Sequence, residues 1–381
     1  MPYLETITSL KIMPLEISEQ SHEVRSRIVV GTATQRGEDH PAKGALSVFE
    51  ILSVVPDPHR FPHDPSARAE TGLKLSLVSR EETRGAITVV ESFPGGLIGT
   101  GQGQKLMIRG LKEDGSCLPV AFLDAQCYTT SLKHLAGSGL WLAADAWKGL
   151  WFGGFTQEPY KLTTLGKSRT RMEVVSAEFL PFDGDLFILV VDAAMDLHVL
   201  QYDPENPKSL SGTRLLHRST FHLGQFATST TLLPSSLLPV GAQPVPNGHA
   251  NGEADTTQIL RPSLYHVLLT SLSGAVGLVT PLDEGTYRRL ALLQTQLSSV
   301  LEHAAGLNPR AYRAVGEARA GGLSSESEGL GARGIVDGEV VKRIWELGSA
   351  RRVEVLGRAG MDGWGLRSDL EAVGGGGVGY L

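Results

Sequence analysis

One short cassette returns five times along this chain of 381 residues. Each copy is an apolar strand, a tight polar turn and a second strand. The copies start at Ile28 (IVVGTA, answered by GALSVFEI from Gly44), Leu97 (LIGTGQGQKLMIRG), Trp141 (WLAADAWKGLWFGG), Ile188 (ILVVDAAMDLHVLQY) and His266 (HVLLTSLSGAVGLV). Their starts are 69, 44, 47 and 78 residues apart. The two short intervals match the ~40–45 residues of one four-stranded propeller blade. Each long interval carries an insert. A repeat of this size cannot bury its own apolar face, so copies must stack on one another. The fold class this predicts is mainly β: a partial WD-like β-propeller of four-stranded antiparallel blades, followed by a small α-helical domain.

Continuous apolar runs such as Phe187–Val191 predict inner strands buried on both faces, and alternating runs such as Leu197–Tyr202 predict outer, half-wet strands. Residues 1–20 read as an N-terminal strand region and 21–279 as the partial propeller. Two segments interrupt it: a Pro-rich surface loop at 56–69 and a low-complexity insert at 239–257 that reads as disordered.

After Val279 the period changes from two to 3.6. Thr280 reads as an N-cap, with Pro281 in the first helical position and Asp283 in the first turn. Tyr287, Leu290, Leu293, Leu297, Val300 and Leu301 then recur at helical spacing. Asn308-Pro309 starts another helix, and Asp337 and Ser349 read as caps of two more. The helical domain spans 280–373, and the glycine-rich tail at 374–381 reads as disordered.

Composition bounds the function. With 41 acidic against 35 basic residues the net charge is −6, so a chain gripping a phosphate backbone alone is not expected. Cys117 and Cys127 are the only cysteines, which fits a reducing compartment and no zinc pattern. The first residues lack the basic and apolar regions of a signal peptide, and no apolar run reaches the ~18 residues of a membrane span.

The local motifs read as structural. Gly99–Gln104 (GTGQGQ) lacks the third glycine and following helix of a dinucleotide loop, and Gly166-Lys167-Ser168 has Lys161 where a phosphate loop needs its leading glycine. His59 and His63, beside Asp57 and Asp64, sit in a loop without a second ligand cluster. His217 and His222 read as satisfied polar positions on a sheet. Ser138 lacks the spacing of a nucleophile elbow. No catalytic, metal-binding or cofactor-binding set stands out. The best lead is aromatic: Trp147, Trp151, Phe155 and Tyr160, around one hairpin, are the candidate partner-contact residues.

Several longer strings carry a resemblance: KGLWFGGFTQEPYKLTTLGK from Lys148, LHVLQYDPENPKSLSGTRLLHRSTFHLG from Leu197, GAVGLVTPLDEGTYRRLALLQTQL from Gly274, LNPRAYR from Leu307 and IVDGEVVKRIWEL from Ile335. They resemble the C-terminal part of the large subunit of the cleavage and polyadenylation specificity factor, in its fungal branch. Related propeller subunits are the damaged-DNA-binding adaptor and a splicing factor 3b subunit. The resemblance implies a nuclear, non-catalytic scaffold without cofactor that organises pre-mRNA 3′-end processing. It implies WD-repeat and zinc-finger subunits of the complex as partners, contact with pre-mRNA through the complex, and no membrane. The alternatives are an adaptor of a ubiquitin ligase, a splicing-type scaffold and, from another class, a propeller hydrolase, which would need convergent carboxylates or a metal. The resemblance implies seven-bladed propellers, which five cassettes do not close, so the chain reads as a fragment or a truncated gene model.

Overall fold

The computed structural model describes residues 4–17, 23–53, 72–234, 265–315 and 334–373. The expected loop at 56–69, with His59 and His63, the insert at 239–257, and the tail at 374–381 lie outside the described residues.

Among the described residues, nineteen strands form five consecutive antiparallel sheets. The first holds β1 (Glu5–Glu16), β2 (Val24–Thr34), β3 (Gly44–Ser53) and β4 (Leu73–Thr83). The second holds β5 (Ile87–Phe93), β6 (Leu97–Gln102), β7 (Lys105–Leu111) and β8 (Cys117–Asp124). The third holds β9 (Thr129–Leu135), β10 (Leu140–Asp145), β11 (Gly149–Gln157) and β12 (Tyr160–Lys167). The fourth holds β13 (Val174–Phe182), β14 (Asp185–Asp192), β15 (Asp196–Tyr202) and β16 (Leu216–His222). The fifth has three described strands, β17 (Ala227–Pro234), β18 (Tyr265–Ser271) and β19 (Val276–Val279). In each sheet the strands follow one another in chain order, which is the meander of a propeller blade.

The five cassettes fall on equivalent hairpins, always the second and third strands of a sheet: β2–β3, β6–β7, β10–β11, β14–β15 and β18–β19. Second strands such as β6 and β10 are buried almost throughout, and the apolar run Phe187–Val191 lies in β14, where Ile188–Val191 are buried as predicted. A backbone with positive φ helps close four of these hairpins, at Gly103, Gly149, Met195 and Gly274. Only Met195 of the four accepts that conformation with a side chain, and it carries the strain such a residue pays.

Within the expected N-terminal strand region Glu5–Glu16 form β1, which pairs with β2 from Glu5↔Thr34 to Glu16↔Val24 and so belongs to the first sheet. One detail departs from the sequence reading. The run Leu197–Tyr202 lies in β15, which is buried nearly throughout rather than half-wet. Its polar positions face packed surroundings because they find partners there: His198 bonds Asp192, and Gln201 accepts from Arg218.

The chain folds into two compact units, Met1–Ala146 with Trp151–Thr164, and Trp147–Leu150 with Leu165–Leu381. In the first unit β5 lies beside β1 and β9, and the sheets bury two apolar clusters. One joins Met13, Leu15, Val29, Leu46 and Val48 of the first sheet to Ile87, Val90 and Ile98 of the second. The other joins Phe93, Leu97, Leu106 and Ile108 of the second sheet to Trp141, Phe155 and Leu162 of the third. Within the third sheet glycine permits a close approach at Gly153, where an added Cβ would sit 2.1 Å from the Trp141 ring and 2.3 Å from the Thr163 carbonyl oxygen.

In the second unit β13 lies beside β17, and the helical segment falls in the same unit. It comprises α1 (Glu284–Val300), α2 (Pro309–Tyr312), α3 (Gly338–Lys342), α4 (Ser349–Arg358) and α5 (Gly363–Val373). Asp337 caps α3 as its sequence suggests, accepting from Glu339 N. Two other caps shift. Asp283, not Thr280, caps α1 through a 2.9 Å bond from Thr286 N, and α4 is preceded by Gly348, with Ser349 already helical. Thr280 is occupied elsewhere: its hydroxyl donates to the Val373 carbonyl and lies 3.0 Å from His266 Nδ1. Leu290, Leu293 and Leu297 of α1 pack with Val340, Ile344, Leu356 and Leu366 in a core of their own.

Gly153→Ala should destabilise the first unit by roughly 1–3 kcal/mol, because backbone and a buried indole bound the space a methyl needs. Denaturant unfolding followed by the fluorescence of Trp141 checks this.

Candidate functional site

The β10–β11 turn sets Trp147 at a corner of the third sheet. Gly149 holds φ +105 there, with no space for a Cβ, which would meet Ser168 Oγ at 2.2 Å. Ser168 is buried. Its hydroxyl accepts from Leu150 N at 3.0 Å and donates to the Thr170 carbonyl at 3.2 Å. The Gly-Lys-Ser triplet is thus a backbone clamp, and Trp147 is left 66% exposed.

The four aromatic candidates do not form one patch. Trp147 sits before β11, and Tyr160, 51% exposed, follows the strand's far end. Trp151 is half-buried against the apolar cluster between the second and third sheets. Phe155 belongs to that cluster and is only 6% exposed. What Phe155 offers is support, since its ring stacks on Tyr160 with centroids 6.3 Å apart and planes at 18°.

That stack continues inward. Phe155 meets Phe93 edge-on at 5.6 Å, and Phe93 stacks on His134 at 5.3 Å. Beside it opens a groove of about 520 Å³ whose lining includes Glu91, Phe93, His134, Ser138, Phe155 and Gln157. Ser138 shapes the β9–β10 turn, donating to the Leu135 carbonyl and accepting from Leu140 N. Glu91 is buried, paired with Lys11, and accepts from Ser92 N. Burial, and secondarily the charge of Lys11, pushes the His134 imidazole down to about 4. The groove therefore offers a neutral imidazole, aromatic faces and a carboxylate already neutralised by its lysine. Such a surface can stack and hydrogen-bond. Sequence reasoning missed Phe93 and His134, which come from different strands and meet only when the second and third sheets pack.

A second polar cluster lies in the second unit. His198 sits 3.0 Å from Asp192 through Nε2 and 3.3 Å from His217 Nε2 through Nδ1. His222 Nδ1 lies 2.6 Å from Asp196, which is buried. Burial, reinforced by His198, lowers His217 to about 4. Both histidines named from sequence are satisfied sheet positions. Arg313 donates to the carbonyls of His222 and Leu223, pairs with Asp337 at 2.8 Å and covers the Phe221 ring, so it pins the helical segment to the fourth sheet. Among the described residues no group of three or more His, Cys, Asp or Glu side chains could hold a metal ion, and no helix is long and apolar enough to cross a membrane.

Comparison with known proteins places this architecture among relatives. The family described as the CPSF A subunit region matches residues 2–346. Protein cft1 of Aspergillus fumigatus is 49% identical over 380 residues, covering 99% of this chain and 25% of its own length. Protein cft1 of Neurospora crassa is 45% identical over 362 residues, 93% of this chain and 23% of its own. That of Schizosaccharomyces pombe is 32% identical, covering 95% and 23%. The chain thus spans about a quarter of the length of the curated relatives it matches.

The two histidines lowered to about 4, with His266 lowered by burial as well, set a pH dependence. Both are neutral in the fold, whereas the unfolded chain takes up protons near the ordinary value of 6.5. The unfolded state therefore binds more protons as pH falls from about 6.5 towards about 4, and stability falls with it. Urea midpoints measured between pH 7 and 4.5 should decline, and His217→Gln should flatten that decline.

Proposed function

Since the chain belongs to the CPSF A subunit region family, we propose that it acts as a non-catalytic scaffold segment in the cleavage and polyadenylation of pre-mRNA 3′ ends. The observation that carries this reading is the family match across nearly the whole chain, at 49% identity to one fungal relative. The structure agrees in character. Its buried polar groups serve as clamps and ties between elements, and its exposed aromatic corners suit protein contact. The partners proposed are the WD-repeat and zinc-finger subunits of the same complex, and the compartment is the nucleus. Pre-mRNA is reached through the complex, in keeping with a net charge of −6.

Relatives from Aspergillus, Neurospora and fission yeast share the name cft1, and no observation favours the ubiquitin-ligase adaptor or the splicing-type scaffold. The discriminating experiment is affinity purification of the tagged protein from fungal nuclei, with mapping of 3′ ends after its depletion. Polyadenylation factors in the eluate and transcripts running past their normal ends support the proposal. Recovery of a cullin, with normal 3′ ends, overturns it.

Within that role, Trp147 and Tyr160 are the contact residues, and Phe155 holds Tyr160 in place. Trp147→Ala and Tyr160→Ala should each weaken recovery of partners while changing stability by less than about 0.5 kcal/mol. Phe155→Ala should cost about 3–5 kcal/mol of stability. Quantitative pull-downs beside urea unfolding separate the two effects.

A further inference from the structure

Three stretches distant in sequence are knitted together by backbone hydrogen bonds: the β10–β11 turn, the connection between β12 and β13, and the loop leading into β16. Ser168 N donates to the Leu150 carbonyl at 2.8 Å, and the Ser168 hydroxyl accepts from Leu150 N. Lys167 N donates to the Thr213 carbonyl at 3.1 Å, and Leu215 N donates to the Lys167 carbonyl at 2.9 Å. Lys167 and Arg214 therefore stand side by side in a parallel bridge. Arg214 N in turn donates to the Ser209 carbonyl at 3.0 Å. All of these residues belong to the second unit.

The joined surface is cationic. Lys148, Lys167, Arg169, Arg171, Lys208 and Arg214 are all exposed, while Gly166, Ser168, Gly212 and Leu215 between them are buried. Positions 147–150, 165–172 and 206–215 hold these six cations and no aspartate or glutamate, in a chain whose net charge is −6. Carboxylates begin only at the borders, with Asp145 buried and Glu173 and Glu205 exposed. Trp147 stands among the cations 66% exposed, and Leu165 and Leu210 are exposed in the same stretches. Single surface charges are ordinary. Cations of one sign gathered around an exposed indole, and kept in one place by the backbone, concentrate positive potential as scattered charges do not.

We propose that this patch docks a short acidic segment of a partner protein, its carboxylates on the arginine and lysine heads and an apolar side chain on Trp147. Arginine forks take carboxylates in bidentate pairs, and interface energy concentrates on Trp and Arg. Two observations favour a peptide over a single-stranded nucleic acid. Nucleic-acid grooves stack successive bases on several aromatic rings, whereas Trp147 is the one aromatic residue of the three stretches and its apolar neighbours there are leucines. The patch is also bordered by carboxylates on a chain that is acidic throughout. That repels a long polyphosphate but admits a segment whose charge ends where the patch ends. The proposal deepens the role given to Trp147 above by naming its partner's chemistry. Its test uses purified components alone, so it can fail while the role in 3′-end processing stands, and the reverse.

The probe is a fluorescein-labelled peptide of about twelve residues, ~40 Å when extended, in which glutamate alternates with leucine or phenylalanine. Its counterpart carries glutamine for each glutamate. Fluorescence anisotropy with the 381-residue protein should show the glutamate peptide binding about tenfold or more tighter than the glutamine one, with an affinity that falls as salt rises. Arg169→Glu combined with Arg171→Glu should weaken binding by about tenfold or more, and Trp147→Ala should weaken it as well. Arg36→Glu, at an exposed position of the first unit, should leave it unchanged. Thermal unfolding midpoints check that each variant is folded, and Lys148→Glu with Arg214→Glu replaces the arginine pair if that variant is not. Equal binding of the two peptides, or indifference to charge reversal in the patch, would overturn the proposal. So would tighter binding of a labelled oligouridine of equal charge, which would make the occupant a nucleic acid.

Discussion

The structure depends on one constraint: a sheet with two apolar faces is stable only between two neighbours. The second sheet shows this most clearly, because Ile98 and Leu97, adjacent in β6, feed two different cores. The same demand explains where glycine is used inside strands. Gly99 lies beneath the Phe93 ring and Gly31 beneath Ile87, with distances that would leave a Cβ only 2.3 and 2.5 Å from its neighbour. A side chain at Gly31 would push the first and second sheets apart, and one at Gly99 would displace the Phe93 ring of its own sheet, in surroundings packed at the density of a protein interior.

Polar groups secure what apolar burial alone leaves loose. Arg109 on β7 is 2% exposed, yet it donates to Thr100 and Gln102 and faces Glu81 of the first sheet at 3.2 Å. A buried guanidinium is tolerated only with such partners, and they fix how the two sheets register. Arg313 does the corresponding job in the second unit, where two carbonyls of the fourth sheet and the capping aspartate of α3 converge on one side chain. It holds the helical segment against the fourth sheet.

The candidate contact surface was half legible in the sequence. A tryptophan in a turn bounded by Asp145 and Gly149 has little choice but exposure, so Trp147 could be named from its surroundings. Phe155 could not be told from Tyr160 by residue type, since alternation along β11 is blurred by burial on both sides. The groove beside Phe93 and His134 left no local signal. Its walls lie about forty to sixty residues apart in the chain, and only packing of one sheet on the next brings them together.

By itself the sequence determined the kind of unit and its repetition. Turn residues and apolar runs act over a few neighbours, and they set five equivalent hairpins whatever lies beyond them. It also determined the change to helical spacing after Val279, since a period of 3.6 is a local property. Tertiary structure alone decided that β1 joins the first sheet, that β15 is buried, that Asp283 rather than Thr280 caps α1, and which aromatics face outward. Each of those outcomes turns on a partner distant in the chain, and burial and hydrogen bonding are settled by what comes into contact, not by what is adjacent in sequence.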